Sequence, residues 1–555
     1  MIRESIETAI RETLSALGVR EASFVVERPG SMEHGDYATN AALAAAKILK
    51  KNPKEVAESL KKEIEGKISW VEKIEVAGAG FVNFFLSREA IVKEVQDAAQ
   101  KQAWGTNDLY KGKTVMVEYT DPNPFKEFHI GHLMSNAIGE SIAHILENSG
   151  ARVIRANYQG DVGPHVAKAL YVLLEKNIES PTITDISAAY VEGSTRYEEK
   201  PEDKAAIDAL NKKIYERDDE RVNTLYQKGR ALSLEHFEEL YKMLGTKFDF
   251  YFFESESSPI GLAIVKKHPE VFEESEGAVV YRGEKESLHT RVFITKLGLP
   301  TYEAKDLGLL QLKSQVDVTS SISVTANEQN EYFKVVLAAA KHIPELQDFA
   351  QKTTHVSHGM MRFAEGKMSS RKGNVITGES LLEDLKDAAK EKMQGRELGD
   401  AEKTAESVAV GAIKYSILKQ GSGKDIIFDP EKSLSLEGDS GPYVQYAHTR
   451  ALSLLKKAGT EAVEPGTDDK PAAANTLERL LLHFPDAVLR SARELEPHYV
   501  TTYITELAST FNSWYASERI IGGSNPHYGV LLAQAVEATL AKGLQVLGIP
   551  APEEM

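Results

Sequence analysis

Residues 121–150, DPNPFKEFHIGHLMSNAIGESIAHILENSG, set His129 and His132 three positions apart around Gly131. From Leu133 onward, Ala137, Ile138, Ile142, Ile145 and Leu146 recur at helical spacing, so a helix begins close to Gly131. Both histidines therefore fall at its first turn, where unpaired backbone N–H groups and the positive end of the helix dipole converge. Such a terminus receives anions, phosphate above all. Two imidazoles beside it could donate hydrogen bonds to phosphate oxygens as charge shifts in a transition state. Gly131 removes a side chain where a flat ring could approach the backbone. The alternatives are idle surface histidines or a zinc pair. Zinc wants a third and a fourth ligand, and the chain has neither cysteine nor H-E-x-x-H.

The elements that must hold this turn are legible on either side. KTVMVEYT alternates Val115, Val117 and Tyr119 as a strand, and after Gly150 stops the helix, ARVIRANYQGD reads as a second strand. A strand, loop, helix and strand in that order imply parallel strands with a right-handed crossover, hence an α/β domain. Strand-like GAVVYRG, TRVFITKLG and SSISVTA return between residues 275 and 345, alternating with helical segments. Residues 185–245 are strongly charged and helical, which predicts a solvated helical insertion. Residues 1–108 read as a small α+β unit, with two helices broken at Pro53 and two strands around Gly78 and Gly80. That G-x-G is a hairpin turn rather than a phosphate loop, since no helix follows at the required spacing. From 401 to 555 the pattern is nearly all helix, and the stretch AGTEAVEPGTDDKPAAANT predicts a mobile loop. The catalytic-type α/β unit would span 109–400.

Composition narrows the class. Hydrophobic residues make up 42% and charged residues 27% of the 555, as in a globular protein. No apolar run is long enough for a membrane span, and Glu4, Glu7 and Glu12 are unlike a targeting segment. The absence of cysteine removes disulfide, thiol and cysteine-zinc chemistry, and a cytoplasmic location is expected. A net charge of −17 argues against indiscriminate nucleic-acid binding, though not against local basic patches.

HIGH (129–132), followed far downstream by GKMSSRKGN (366–374), resembles the paired signature of class I aminoacyl-tRNA synthetases. VEYTDPNPFKEFHIGHL, YQGDVG, TYEAKDLG, SLEGDSGPYVQYAHTRA, FNSWYASERIIG, HGDYATNAAL and EVAGAGFVNFFL are similar to the arginyl-tRNA synthetases, over essentially the whole chain. The resemblance implies a Rossmann-like parallel-sheet catalytic domain with a small α+β N-terminal domain against the tRNA elbow. It also implies an all-helical C-terminal anticodon-binding domain. Arginine and ATP would give arginyl-adenylate and pyrophosphate, and arginine would pass to the terminal adenosine of tRNA(Arg). The first step would require bound tRNA, Mg2+ would accompany ATP without a dedicated metal site, and the chain would act as a monomer.

Residue roles follow from the same resemblance. A guanidinium is planar and carries five donors, so its pocket should present carboxylates. The resemblance places Glu118, Asn123, His132, Tyr302, Asp306 and Gln329 around arginine, and Tyr302 and Asp306 share one helix face by their i, i+4 spacing. ATP would meet His129, Gly131, His132, Lys367 and Met368, with Lys126, Ser369 and Lys372 completing the catalytic set. The second lysine of the general K-M-S-K-S motif is here Ser370, and Lys126, Arg371 or Lys372 could replace its charge. Tyr37 and Thr39 would face the tRNA elbow, and Tyr446, Trp514, Tyr515 and Met555 the anticodon, with Tyr443 and Phe511 as further aromatic candidates. A tRNA-binding relative without catalysis, or another nucleotidyl transferase, is the competing reading. The first needs damaged motifs and finds only Ser370; the second leaves both appendages unused.

Overall fold

The computed structural model describes residues 2–100, 102–364, 376–395 and 399–555. Its centre is a five-stranded sheet of β1 (Thr114–Glu118), β2 (Arg152–Gln159), β3 (Phe250–Phe253), β4 (Ser320–Ala326) and β5 (Thr353–His358). The spatial order is β5-β4-β1-β2-β3, and each neighbouring pair is parallel. Val115, Met116 and Val117 are all fully buried, because helices cover both faces of β1. The apparent alternation ending at Tyr119 was therefore the wrong period: the strand stops at Glu118. Chain order reverses at β1, which has β2 on one side and β4 on the other. Ligands of open parallel sheets bind beyond the carboxyl ends of the strands at such a switch point.

The helices that bear on the site are α1 (Ile130–Asn148), α2 (Glu220–Leu244), α3 (Glu254–Lys267), α4 (Tyr302–Lys313) and the helix Asn330–Lys341. Helices α3 and α4 cross at glycine. A Cβ on Gly261 would lie 1.7 Å from Ala304 O, and one on Gly308 2.0 Å from Ser257 O. The charged insertion forms helices Ile183–Glu199, Pro201–Glu216 and α2. The last of these corrects the expectation of a merely solvated appendage, since it buries Tyr226, Phe237, Leu240 and Tyr241 against the catalytic unit.

The N-terminal unit folds around an antiparallel sheet, with the hairpin of Val71–Ala77 and Phe81–Leu86 closed by the Gly78–Gly80 turn. Its closing helix, Arg88–Gln100, packs into the same core as the C-terminal helices through Val92, Val95 and Ala98. The C-terminal part is helical apart from a short strand, Ile426–Phe428, which pairs in parallel with Met361–Phe363. The stretch expected to be a mobile loop is pinned instead. Asp469 accepts from His527 N–H (2.9 Å) and Tyr528 N–H (2.8 Å), and Pro471 O accepts from Arg88 Nε (3.0 Å).

Candidate functional site

The loop from β1 to α1 is strained. Thr120, Asp121 and Phe125 take φ of +78°, +48° and +67°, a region costing non-glycine residues roughly 1–3 kcal/mol each. Its neighbours enforce that shape. Thr120 N–H donates to Ser135 Oγ (3.0 Å), Phe125 N–H to Ser233 Oγ of α2 (3.0 Å), and Asp121 Oδ1 accepts from Tyr158 N–H (2.8 Å). The insertion thus braces the loop that carries Asn123 and Lys126.

At the head of α1 the two histidines form a capping box of their own. His129 Nδ1 accepts from Gly131 N–H (3.1 Å), and His132 Nδ1 accepts from His129 N–H (3.2 Å). Their rings stack with centroids 3.5 Å apart. Because both Nδ1 atoms accept, both protons sit on Nε2, leaving two neutral donors at the helix terminus. Desolvation, then the charge of Lys126, lowers His129 to about 4. Burial, then the charges of His129 and Lys126, lowers His132 well below its ordinary value. A Cβ on Gly131 would lie 3.0 Å from the His129 ring, so glycine also makes room for the cap itself. Lys126 stands beside the pair, with Nζ 5.7 Å from the Tyr190 ring centre.

Beyond β1 and β4 opens a cavity of about 410 Å³. Glu118, Asn123, Tyr302, Asp306 and Gln329, widely separated in sequence, all line it. His132, expected at the arginine site as well, is not among the lining residues; it is buried between Phe128 and His129. Asp121, Glu254, Glu303 and Tyr332 also line the cavity and were not anticipated. The buried Glu118 is paired with the buried Lys313 at 2.6 Å, Glu254 with Lys305 at 2.6 Å, and Glu303 with Arg291 at 3.1 Å. Glu118 is therefore no free prong of a fork. Asp306 accepts from Tyr332 Oη (2.7 Å). Burial, then the charges of Glu118 and Glu254, pushes it up to about 7 against the pull of Tyr332 and Lys313. Asp121 is raised well above the usual carboxylate range by burial, with Glu118 adding to it. The missed residues had a faint signal: Lys305 and Lys313 lie on the helix that carries Asp306, but nothing local says which acids they meet.

Lys367, Met368, Ser369 and Lys372, with Ser370 and Arg371, lie outside the described residues. Among the described residues no group of three His, Asp or Glu side chains is arranged to hold a metal ion, and no helix is long and apolar enough to cross a membrane.

The expected elbow contacts need correction. Tyr37 and Thr39 are 2% and 1% exposed. Tyr37 donates to Asp486 (3.1 Å) and Thr39 to Val25 O (2.7 Å), so neither offers a face to a base. The same unit does expose Phe81 and Ile48, the latter in a run with Lys47, Lys50, Lys51 and Lys54. In the C-terminal helices Phe511 is fully buried, whereas Tyr443, Tyr446, Trp514 and Tyr515 are half-buried. Arg450 lies between the rings of Tyr446 (5.7 Å) and Tyr515 (4.6 Å), and Met555 packs partly against the core.

A nucleotide-type switch point, a histidine-capped helix after the first strand and a helical appendage define a class I aminoacyl-tRNA synthetase. In agreement, residues 94–430 match the family model "tRNA synthetases class I (R), catalytic domain", 444–555 the "DALR anticodon binding domain" and 2–86 the "Arginyl tRNA synthetase N terminal domain". The chain is 31% identical over 571 residues to the arginine–tRNA ligase of Enterococcus faecalis, covering 100% of both, and 32% identical over 570 residues to that of Limosilactobacillus reuteri, again covering 100% of both. Among solved structures, the Thermus thermophilus arginyl-tRNA synthetase superposes with a TM-score of 0.83 at 29% identity, covering 100% of each chain. The chain belongs to the arginyl-tRNA synthetase family, and its reaction is that of an arginine–tRNA ligase.

Proposed function

We propose that the 410 Å³ cavity is the arginine site and the head of α1 the ATP-phosphate site. The observation that carries this is the five-carboxylate lining of a cavity that opens at the sheet's switch point, beside a helix end bearing two neutral donors. Asp306, with Glu254 and Tyr302 beside it, meets the guanidinium. Asn123 and Gln329 hold the amino-acid end so that its carboxylate faces the α-phosphate of ATP. That carboxylate is the nucleophile, and pyrophosphate leaves as arginyl-adenylate forms. The protein has little proton transfer to perform, so positioning and electrostatics carry the acceleration. His129 and His132 donate through Nε2 to phosphate oxygens, and Lys126 adds positive charge next to them. Mg2+ would accompany ATP and supply positive charge to its phosphates as pyrophosphate leaves.

The division of labour assigns residues 1–108 to the tRNA elbow, 109–400 to chemistry and 401–555 to the anticodon, in a monomer working in the cytoplasm. On the N-terminal unit, exposed Phe81 and the lysines around residue 50 suit an RNA backbone and an unstacked base better than Tyr37 does. On the C-terminal unit, Tyr446, Arg450 and Tyr515 form the corresponding surface. Activation waits for bound tRNA.

The test is ATP–pyrophosphate exchange with arginine, with and without tRNA(Arg), and with lysine as control. Exchange only when arginine and tRNA(Arg) are both present is the expected result. Exchange with arginine alone removes the tRNA requirement, and exchange with lysine removes the specificity of the cavity.

A further inference from the structure

Three of the five cavity carboxylates already have a cation. Lys313 takes Glu118, Lys305 takes Glu254 and Arg291 takes Glu303. Asp121 and Asp306 have no ion pair among the described residues. Arginine brings two positive groups, its guanidinium and its α-ammonium. Lys313 is the least ordinary member of this set: 1% exposed, at the end of α4, with Nζ 2.6 Å from Glu118 and donating to Ser323 Oγ (3.2 Å). It lines the cavity while almost fully buried, and its charge acts on Asp121 and Asp306 as well as on Glu118.

We propose that Lys313 is a positioning residue of the arginine site, whose buried ammonium cancels Glu118 and leaves two unpaired carboxylates, Asp121 and Asp306, to match the substrate's two positive groups. The inference rests on the cavity reading proposed above. An ion pair this deep costs desolvation, and a purely structural contact would be served as well by an apolar pair. What an apolar pair cannot do is set the free charge of the cavity. Without Lys313, Glu118 would stand uncompensated beside Asp121 and Asp306, and like charges in one buried site resist joint ionisation. The groups that face this cluster are Glu118 from β1, Asp121 from the loop, Tyr158 from β2, Glu254 from α3, Arg291 from the strand Arg291–Ile294, Tyr302, Glu303, Lys305 and Asp306 from α4, and Tyr332 from the helix Asn330–Lys341.

The experiment is arginine KM in pyrophosphate exchange, at saturating ATP and tRNA(Arg), between about pH 6 and 9. Lys313→Met is expected to raise arginine KM by about tenfold or more while ATP KM stays within about twofold. Its midpoint in the pH dependence of arginine KM should move up by about one unit, because a positive charge has left the acids. Lys313→Arg should restore both. The double variant Glu118→Gln/Lys313→Met returns the free charge to its original value, so its midpoint should return toward wild type although the ion pair is gone. It also keeps the test open if Lys313→Met does not fold, since it leaves no unpaired charge. A folded Lys313→Met with unchanged KM and midpoint, or a double variant whose midpoint stays displaced from wild type, overturns the proposal. Asp306→Asn, assayed in parallel, separates the two readings: if it leaves arginine KM unchanged, the cavity is not the arginine site and the role of Lys313 falls with it.

Discussion

His129 performs two tasks with one ring: Nδ1 caps α1, and Nε2 keeps its proton as a donor. His129→Ala should therefore destabilise the fold by about 1 kcal/mol through the lost cap. It should also slow exchange by roughly 10²–10³-fold through the lost donor. Urea unfolding and exchange rates measure the two losses separately. His129→Asn, whose side-chain oxygen can cap, should recover the stability and not the rate. The ring stays neutral down to about pH 4, so an activity change near neutrality cannot come from His129. It should come from the two cavity acids without an ion pair, Asp306 raised to about 7 and Asp121 raised well above the usual carboxylate range in the free site. A bound guanidinium favours the ionised carboxylate, so binding releases a proton and arginine affinity should rise as pH climbs through about 7. The sign for stability is opposite. An acid raised by folding contributes most below its unfolded value near 4, and that contribution disappears as pH rises through 7. Calorimetric titration of arginine into the enzyme–tRNA complex in buffers of differing ionisation enthalpy counts the proton; no pH dependence of affinity between 6 and 8 would remove Asp306 from the guanidinium.

The crossing of α3 and α4 decides whether the acids converge. Glu254 opens α3 and Asp306 lies midway along α4, and backbone contact at Gly261 and Gly308 holds the two helices together. Gly261→Ala cannot be absorbed by a side-chain rotation, because its Cβ would meet a backbone carbonyl. It should cost about 1–3 kcal/mol as overpacking and raise arginine KM as Asp306 shifts, with ATP KM unchanged. A denaturation curve and the two KM values decide it. Such crossings explain why some of the site was legible and some was not. The start of α1 could be read because its apolar spacing and the histidine pair lie within twenty residues. Tyr302 and Asp306 could be placed on one face because a helix has a fixed period. Glu254 and Lys313 could not, since each meets its partner through tertiary packing between elements far apart in the chain. Tyr37 misled for the related reason that an aromatic in a polar stretch, HGDYATN, was buried by a distant element, the helix carrying Asp486. The period of β1 misled because a strand covered on both faces shows no alternation.

Across the whole molecule, the N-terminal unit and the C-terminal helices are fastened to each other by polar contacts. Arg28 is bidentate to Glu506 (2.8 and 2.7 Å), Arg479 pairs with the buried Asp36 (2.6 Å), and Arg88 pairs with Glu478, which also accepts from Tyr528 Oη (2.6 Å). Glu478 is fully buried and closes a capping box with Asn475, so it serves the fold of one unit and the seat of the other. If one tRNA touches both units, each contact is worth its full value only when the second is already in place, since a rigid span avoids the ordering cost of a hinged one. Glu478→Ala removes one partner of a buried pair and should cost about 3–5 kcal/mol, because Arg88 is left with its charge uncompensated. At temperatures where the variant remains folded, tRNA(Arg) KM should rise by about tenfold while arginine and ATP KM, measured at saturating tRNA, stay within about twofold. Limited proteolysis should at the same time cut the connection near residue 88 faster in the variant than in the parent protein. Equal losses in all three KM values would show that the clasp supports the catalytic unit as well, and that the N-terminal unit and the C-terminal helices do not work as a separate rigid span.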